Sequence, residues 1–258
     1  MYTDAHCHLD FETYDNLDEL LADCRSAGVD RIICAGFDLE SSRTAMDIAE
    51  RYNGVYFTAG LHPTELSHCD IADLEGVREL CRHPKCVAVG EIGLDYHYPD
   101  TDKPLQFRFF EAQLELAHRE ELPVQIHSRD SADDTLQFLK ERESLLTEGF
   151  LMHCYSYSPE MCQSFLKLGA YFSFGGTSTY KKSKKPRLAI EAVPAGRLLT
   201  ETDSPYLSPS SKHGVFPNTP LSIPEITLNM AELKGLECDE MSRQIRNNAE
   251  RLFFKMRQ

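Results

Sequence analysis

The 258-residue sequence has no tryptophan, no Cys-X-X-Cys pair and no apolar run of bilayer-crossing length. Without tryptophan the aromatic content is 11 Tyr and 14 Phe, which by composition alone points to no function. Nine cysteines lacking a Cys-X-X-Cys pair do not read as a disulfide framework. Such frameworks belong to short secreted chains that cannot bury a sufficient core, and this chain is long enough to build one unaided. The N-terminus shows no basic segment followed by an apolar stretch, so no secretory signal is read there. A cytoplasmic protein with reduced thiols is expected. Positive charge is scarce as well: 27 Lys and Arg stand against 41 Asp and Glu, a net charge of −14. That balance argues against a protein that coats nucleic acid through bulk positive charge. It leaves open an enzyme that grips phosphate locally through metal ions. What is present is ordinary globular usage, 41% hydrophobic and 26% charged, which excludes a disordered or collagen-like chain.

Short apolar or β-branched runs alternate with longer segments of helical period. Strands are expected at 3–8, 31–37, 55–62, 86–95, 123–128, 150–155, 170–175 and 197–202. Helices are expected at 16–27, 41–52, 70–82, 104–121, 131–142, 159–168, 184–193, 221–234 and 239–255. The first helix spaces Leu17, Leu20, Leu21 and Cys24 on one face and is followed by Gly28 as a stop signal. Pro224 falls in the first turn of the eighth. Eight β-then-α units in a chain of this length match a (β/α)8 TIM barrel, an α/β fold with a parallel closed sheet and right-handed crossovers. A doubly wound open sheet is the alternative, because alternation alone does not show closure. No linker, repeat or composition shift divides the chain, so residues 1–258 are expected to form one domain. Two irregular stretches, the lysine-rich 180–186 and the Pro/Ser/Gly-rich 204–220, follow strands and so belong on the catalytic face of a barrel.

Six polar residues sit at strand ends. His6 and His8 are two apart on one strand, so both imidazoles face one side and Cys7 the other. Glu91 lies on the fourth strand, His127 ends the fifth, His153 lies on the sixth, and Asp203 follows the eighth. Each has a bland reading: a surface or core polar pair for His6 and His8, a turn for Glu91, satisfied buried histidines for His127 and His153, a cap or Asx turn for Asp203. Their conjunction decides the matter, since a barrel brings all six to one cup, where four His and two carboxylates read as metal ligands. The mixed N/O set suits Zn, Mn, Fe or a similar divalent ion, without thiolates.

The stretches Asp4-Ala5-His6-Cys7-His8-Leu9-Asp10, Gly60-Leu61-His62-Pro63, Gly90 to Asp95, His127-Ser128-Arg129-Asp130, His153-Cys154-Tyr155-Ser156 and Thr200 to Leu207 run in order along the chain. Together they resemble the TatD family of metal-dependent hydrolases, within the wider amidohydrolase-like barrels, and Asn247 to Phe253 resembles the family's closing helix. The resemblance implies metal ligands at His6, His8, Glu91, His127, His153 and Asp203. Glu91 would bridge two divalent ions (Mg, Mn or Zn), with His6, His8 and Asp203 on one and His127 with His153 on the other. Lysine, the carboxylated bridge of many amidohydrolase barrels, is absent from the fourth strand, in keeping with the Glu-bridged type. A metal-held water would lose a proton near neutral pH, with Asp203 as the general base. Tyr155 and Tyr157 depart from the family's usual His-Cys-Phe-Ser/Thr-Gly and add bulk beside the site.

Neighbouring residues carry further expectations. Glu201 and Asp4 lie two residues before Asp203 and His6 and face the same side one layer deeper. Glu201 would orient a ligand or a water, or else be a buried carboxylate bonded to barrel neighbours. His62 and Arg129 are placed to meet a phosphate, with an exposed ion pair as the alternative for Arg129. Asp95 would hold either Arg129 or its own loop. The 181–187 run is either a solvated loop or a guide for a phosphate backbone, and Tyr155, Tyr157, Tyr180 and Tyr206 would stack on bases at the same rim or simply pack. By resemblance the activity is a 3′→5′ exonuclease or phosphodiesterase on DNA, acting on single strands or frayed ends. The rival is a small-molecule ester or amide hydrolase, including an aminoacyl-tRNA deacylase. No membrane and no obligate protein partner is indicated.

Overall fold

The computed structural model describes residues 1–257. Its strands are β1 (Tyr2–Cys7), β2 (Val29–Ala35), β3 (Val55–Ala59), β4 (Cys86–Asp95), β5 (Val124–Arg129), β6 (Phe150–Met152), β7 (Tyr171–Phe174) and β8 (Leu198–Thr200). They pair in sequence order, every neighbour parallel. The seam between β8 and β1 is carried by bonds just beyond the end of β8. Asp203 N–H donates to the His6 carbonyl (3.0 Å) and His8 N–H to the Ser204 carbonyl (2.6 Å). Thr200 Oγ1 donates to the Thr3 carbonyl at 2.8 Å. The sheet is therefore a nearly closed barrel, and the open-sheet alternative falls away.

Among the described residues nine α-helices alternate with and follow the strands: α1 (Leu17–Ser26), α2 (Leu39–Arg51), α3 (Asp73–Cys81), α4 (Lys103–Arg119), α5 (Ala132–Glu141), α6 (Pro159–Leu166), α7 (Lys184–Ala192), α8 (Ile223–Lys234) and α9 (Cys238–Leu252). Local chemistry explains where they start. Asp38 and Ser41 cap α2 reciprocally, which brings its start to Leu39 rather than 41. Asn16 caps α1, and Asp102 with Pro104 opens α4. The expected 70–82 helix is shorter: Leu66–His68 is a single 3-10 turn and α3 begins at Asp73. The expected 239–255 helix ends at Leu252, where the fully buried Phe253 turns into the core. On α9, Met241, Ile245, Ala249 and Leu252 form one buried face, while Asn248 donates to the Ala195 (2.7 Å) and Leu198 (2.8 Å) carbonyls and pins the start of β8.

Strand ends differ from expectation in a way that matters for the site. β1 stops at Cys7, β6 at Met152 and β8 at Thr200, so His8, His153 and Asp203 lie just past the ladders. Cys154 and Asp203 have positive φ (44° and 52°), turning the chain off the strand line and over the barrel mouth.

Candidate metal centre

At that mouth five imidazoles surround one carboxylate. Glu91, 3% exposed, points Oε2 at His6 Nε2 (3.3 Å) and His8 Nε2 (3.7 Å). Its Oε1 lies 2.7 Å from His127 Nδ1, 2.7 Å from His153 Nε2 and 3.3 Å from His62 Nε2. Asp203 Oδ1 stands 3.5 Å from His8 Nε2 and 3.8 Å from His6 Nε2. All six residues expected as ligands thus converge. His62, expected at the substrate, stands against Glu91 itself.

Backbone fit puts Glu91 there. A Cβ on Gly60 would come within 2.7 Å of the Gly90 carbonyl carbon, so these two strands approach as closely as they do only because glycine occupies the spot. Gly93, at φ +143°, lies so near β5 that a Cβ would fall 2.0 Å from the His127 carbonyl oxygen.

The far nitrogen of each ring decides which lone pair enters the cup. His6 Nδ1 pairs with Gln125 Oε1 at 2.8 Å, and the Gln125 amide is itself oriented by donating to the Ala5 carbonyl at 2.8 Å. His8 Nδ1 donates to the Ala35 carbonyl at 3.0 Å. His127 Nε2 lies 2.9 Å from Asp95 Oδ2. These acceptors hold the proton on the outward nitrogen, so the inward nitrogen presents a lone pair. The sequence pattern alone does not assign these roles to Gln125 and Asp95. Gln125 lies two residues before His127 on one strand, so alternation could have found it. Of the two expectations for Asp95 the loop is the one met, since it accepts from His97 N–H (2.8 Å) and not from Arg129, and its second oxygen takes His127 in addition. The register that sets Gly93 beside His127 is what sends Asp95 there.

Electrostatics follow from this crowding. Burial pushes Glu91 up, but the charges of His153, His62 and His6 with the His127 hydrogen bond outweigh it and hold the carboxyl well below its usual range. Burial alone would lower the imidazoles. Glu91 nevertheless drives His153 well above its ordinary value, Asp95 and Glu91 raise His127, and Asp203 with Glu91 raises His8. At His62 burial wins and the value falls. Desolvation would raise the half-buried Asp203, yet its histidine neighbours, His8 first among them, depress it.

This donor set fits divalent cations. Lone-pair atoms stand 3.2 Å apart at His6 and His8 and 3.3 Å apart at His127 and His153. Cation-sized groupings are His6, His8 and Asp203; His6, His153 and Glu201; and His62, Glu91 and His127, none with a cysteine. His153 Nδ1 and Glu201 Oε1 are buried without a partner, and Glu201 Oε2 lies 3.7 Å from that Nδ1 while accepting from Ser173 (2.5 Å). Nitrogen and oxygen donors of this kind suit Zn, Mn and Fe.

Other expectations separate. Asp4 touches no imidazole; it accepts from Thr202 N–H (3.0 Å), Thr202 Oγ1 (2.6 Å) and His6 N–H (3.3 Å), bracing the seam, and burial pushes its carboxyl up to about 8. Arg129 stands exposed at the end of β5, with no carboxylate partner among the described residues. Tyr155 is buried against Phe172 and Phe174, so packing accounts for it, whereas Tyr157 is half-buried with its hydroxyl tied to Ser128 and Ser131. Tyr206 is exposed.

A family model described as TatD related DNase matches residues 3–254. The chain belongs to the TatD family. The uncharacterized metal-dependent hydrolase YabD of Bacillus subtilis (strain 168) is 38% identical, the match covering 98% of this chain and 99% of that protein. The 3′-5′ ssDNA/RNA exonuclease TatD of Klebsiella pneumoniae (strain 342) is 34% identical over 92% of this chain and 91% of its own. The crystal structure of YjjV, a TatD homologue from Escherichia coli K12, matches with a TM-score of 0.93 at 33% identity, covering 98% of each chain. This TatD-family chain is thus a metal-dependent hydrolase. No helix among its described residues is long and apolar enough to cross a membrane.

Proposed function

We propose that this chain is a phosphodiesterase that releases nucleotides 3′→5′ from single-stranded or frayed DNA ends and would use two divalent cations held around Glu91. The observation that carries the reading is the division of labour within one carboxylate. Glu91 Oε2 faces His6 and His8, while Oε1 faces His127 and His153. His6, His8 and Asp203 would hold one cation beside Oε2, and His127 with His153 the other beside Oε1. Bound divalent cations would supply Lewis acidity toward a phosphoryl oxygen and acidify a water.

The chain's own groups do the rest. Asp203 is held ionised by its histidine neighbours and its side chain keeps 15% exposure, so one carboxylate oxygen is open to take the proton of the attacking water. Asp95 and Gln125 fix the rings of His127 and His6, and Glu201 faces the outward nitrogen of His153. Arg129, free at the rim, presents a planar fork to a phosphate. His62, between Glu91 and Thr64 (2.7 Å), would contact the substrate from the end of β3. The substrate class leans on the Klebsiella pneumoniae relative named as an exonuclease.

The test is incubation of Mn- or Mg-loaded protein with 5′-labelled single-stranded DNA, with Glu91→Ala as control. Stepwise shortening from the 3′ end, lost in Glu91→Ala, is the expected result. Nucleotide release that survives Glu91→Ala would sink the site assignment, and hydrolysis confined to small esters or amides would sink the substrate.

A further inference from the structure

The loops that follow β7 and β8 are tied together beside the cup. Ser210 N–H donates to Thr179 Oγ1 (2.8 Å), the Tyr180 hydroxyl donates to the Ser208 carbonyl (3.1 Å), and the Tyr180 ring meets His213 edge-on at 5.7 Å. Between them runs an open cleft of about 500 Å³, walled by Tyr180, Tyr206, Leu207, His213, Val215 and Phe216. Its aromatic walls are uncovered: Tyr206 is 58% exposed and Phe216 67%, with ring centroids 6.3 Å apart. Its wall begins two residues past Asp203 in the chain, and the turn that joins them is closed by Tyr206 N–H donating to the Asp203 carbonyl at 3.0 Å.

Charge singles out the same place. Segments 177–187 and 204–220 contain Lys181, Lys182, Lys184, Lys185, Arg187 and Lys212 and no Asp or Glu of their own, in a chain whose net charge is −14. Among the described residues the one acid side chain bonded to them is Glu225 of α8, which Ser211 takes up. Arg187 is taken up by Ser178 and Asn229, and Lys212 by Ser222. The other four lysines are exposed. An occupant that offers a flat apolar face and negative charge together would match both features. An unpaired nucleotide does both, stacking its base on an aromatic wall while lysines track its phosphates.

We infer that this cleft is a base-stacking subsite for an unpaired nucleotide adjoining the phosphodiester to be cut, with Tyr206 and Phe216 as its walls. The inference rests on the nucleic-acid reading of the cup and deepens it. A base within a duplex is already stacked and must be unpaired before it can enter, so the cleft selects single strands and frayed ends.

The experiment compares the metal-loaded wild type with Tyr206→Ala, Phe216→Ala and Tyr206→Phe. Each acts on a short single-stranded DNA and on the same strand with abasic residues at its 3′ end. Each alanine variant should raise KM about tenfold with bound metal at the wild-type level. The abasic strand should raise the wild-type KM similarly, yet cost the alanine variants little more. Tyr206→Phe, which keeps the ring, should retain the wild-type KM. A wild-type KM in both alanine variants, or full indifference to abasic residues, overturns the cleft while leaving the cup's reading intact. A wild type that hydrolyses a small ester but no oligonucleotide overturns both.

Discussion

An imidazole can ligate a cation only if something else chooses its tautomer, and in this cup the partners placed to choose are Asp95, Gln125 and the Ala35 carbonyl. Asp95→Asn removes the charge that holds the His127 proton outward, so cation affinity should fall about 10–100-fold, read by competition with a chelating dye. Unchanged affinity would show that His127 does not need this partner. Protons and cations also compete for the cup. The raised values of His8, His127 and His153 mean that their charged forms stabilise the cation-free fold fully below about pH 6.5, a contribution lost as pH rises through those raised values. Glu91 and Asp203 act in the opposite sense: their contribution is present above about pH 4 and lost as pH falls through their depressed values. A cation needs neutral imidazoles, so its binding should expel about one to three protons and weaken as pH drops from 7 to about 6. Calorimetry in buffers of different ionisation enthalpy measures that release directly. An enthalpy independent of buffer would rule it out.

At the scale of elements, the alternation of runs made all eight strands legible, and with them the convergence of His6, His8, Glu91, His127, His153 and Asp203, because strand period and barrel topology alone carry residues to one rim. What stayed hidden depended on register and packing. Asp95 reaches His127 only through the offset of β4 against β5, and Tyr155 is drawn inward by Phe172 and Phe174, neighbours distant in sequence. Asp4 shares a face with His6 but spends its oxygens on Thr202 across the seam, a contact that exists only once the barrel closes. The β4–β5 fit gives a test at this scale. Gly93→Ala would place a Cβ 2.0 Å from the His127 carbonyl oxygen at a φ of +143°. Strain and overpacking together should cost about 2–5 kcal/mol. Because the displaced residue is His127, bound metal should fall along with the urea midpoint. A midpoint shift with full metal content would show that β5 yields elsewhere.

For the whole molecule, the net charge of −14 and the six cations of segments 177–187 and 204–220 pull in opposite directions on a polyanion. Long duplex DNA meets mostly repulsion, whereas a single strand entering beside the cup meets only the local cations. Four of these, Lys181, Lys182, Lys184 and Lys185, are exposed and free to pair with phosphates. Counterion release then sets the salt response: for a single strand the slope of log affinity against log salt is about −0.7 per phosphate neutralised, or about −2 to −3 here. Raising salt from about 50 to about 200 mM should therefore weaken 1/KM for a single-stranded oligonucleotide roughly 20- to 60-fold, far less than the thousandfold or greater loss of a protein that binds through bulk charge. Replacing the four lysines by Gln should flatten the slope to about −0.7, the share left to Arg129 at the rim. A wild-type slope already that shallow would mean that these lysines never reach the strand, and one steeper than about −6 would mean that a basic surface elsewhere carries it.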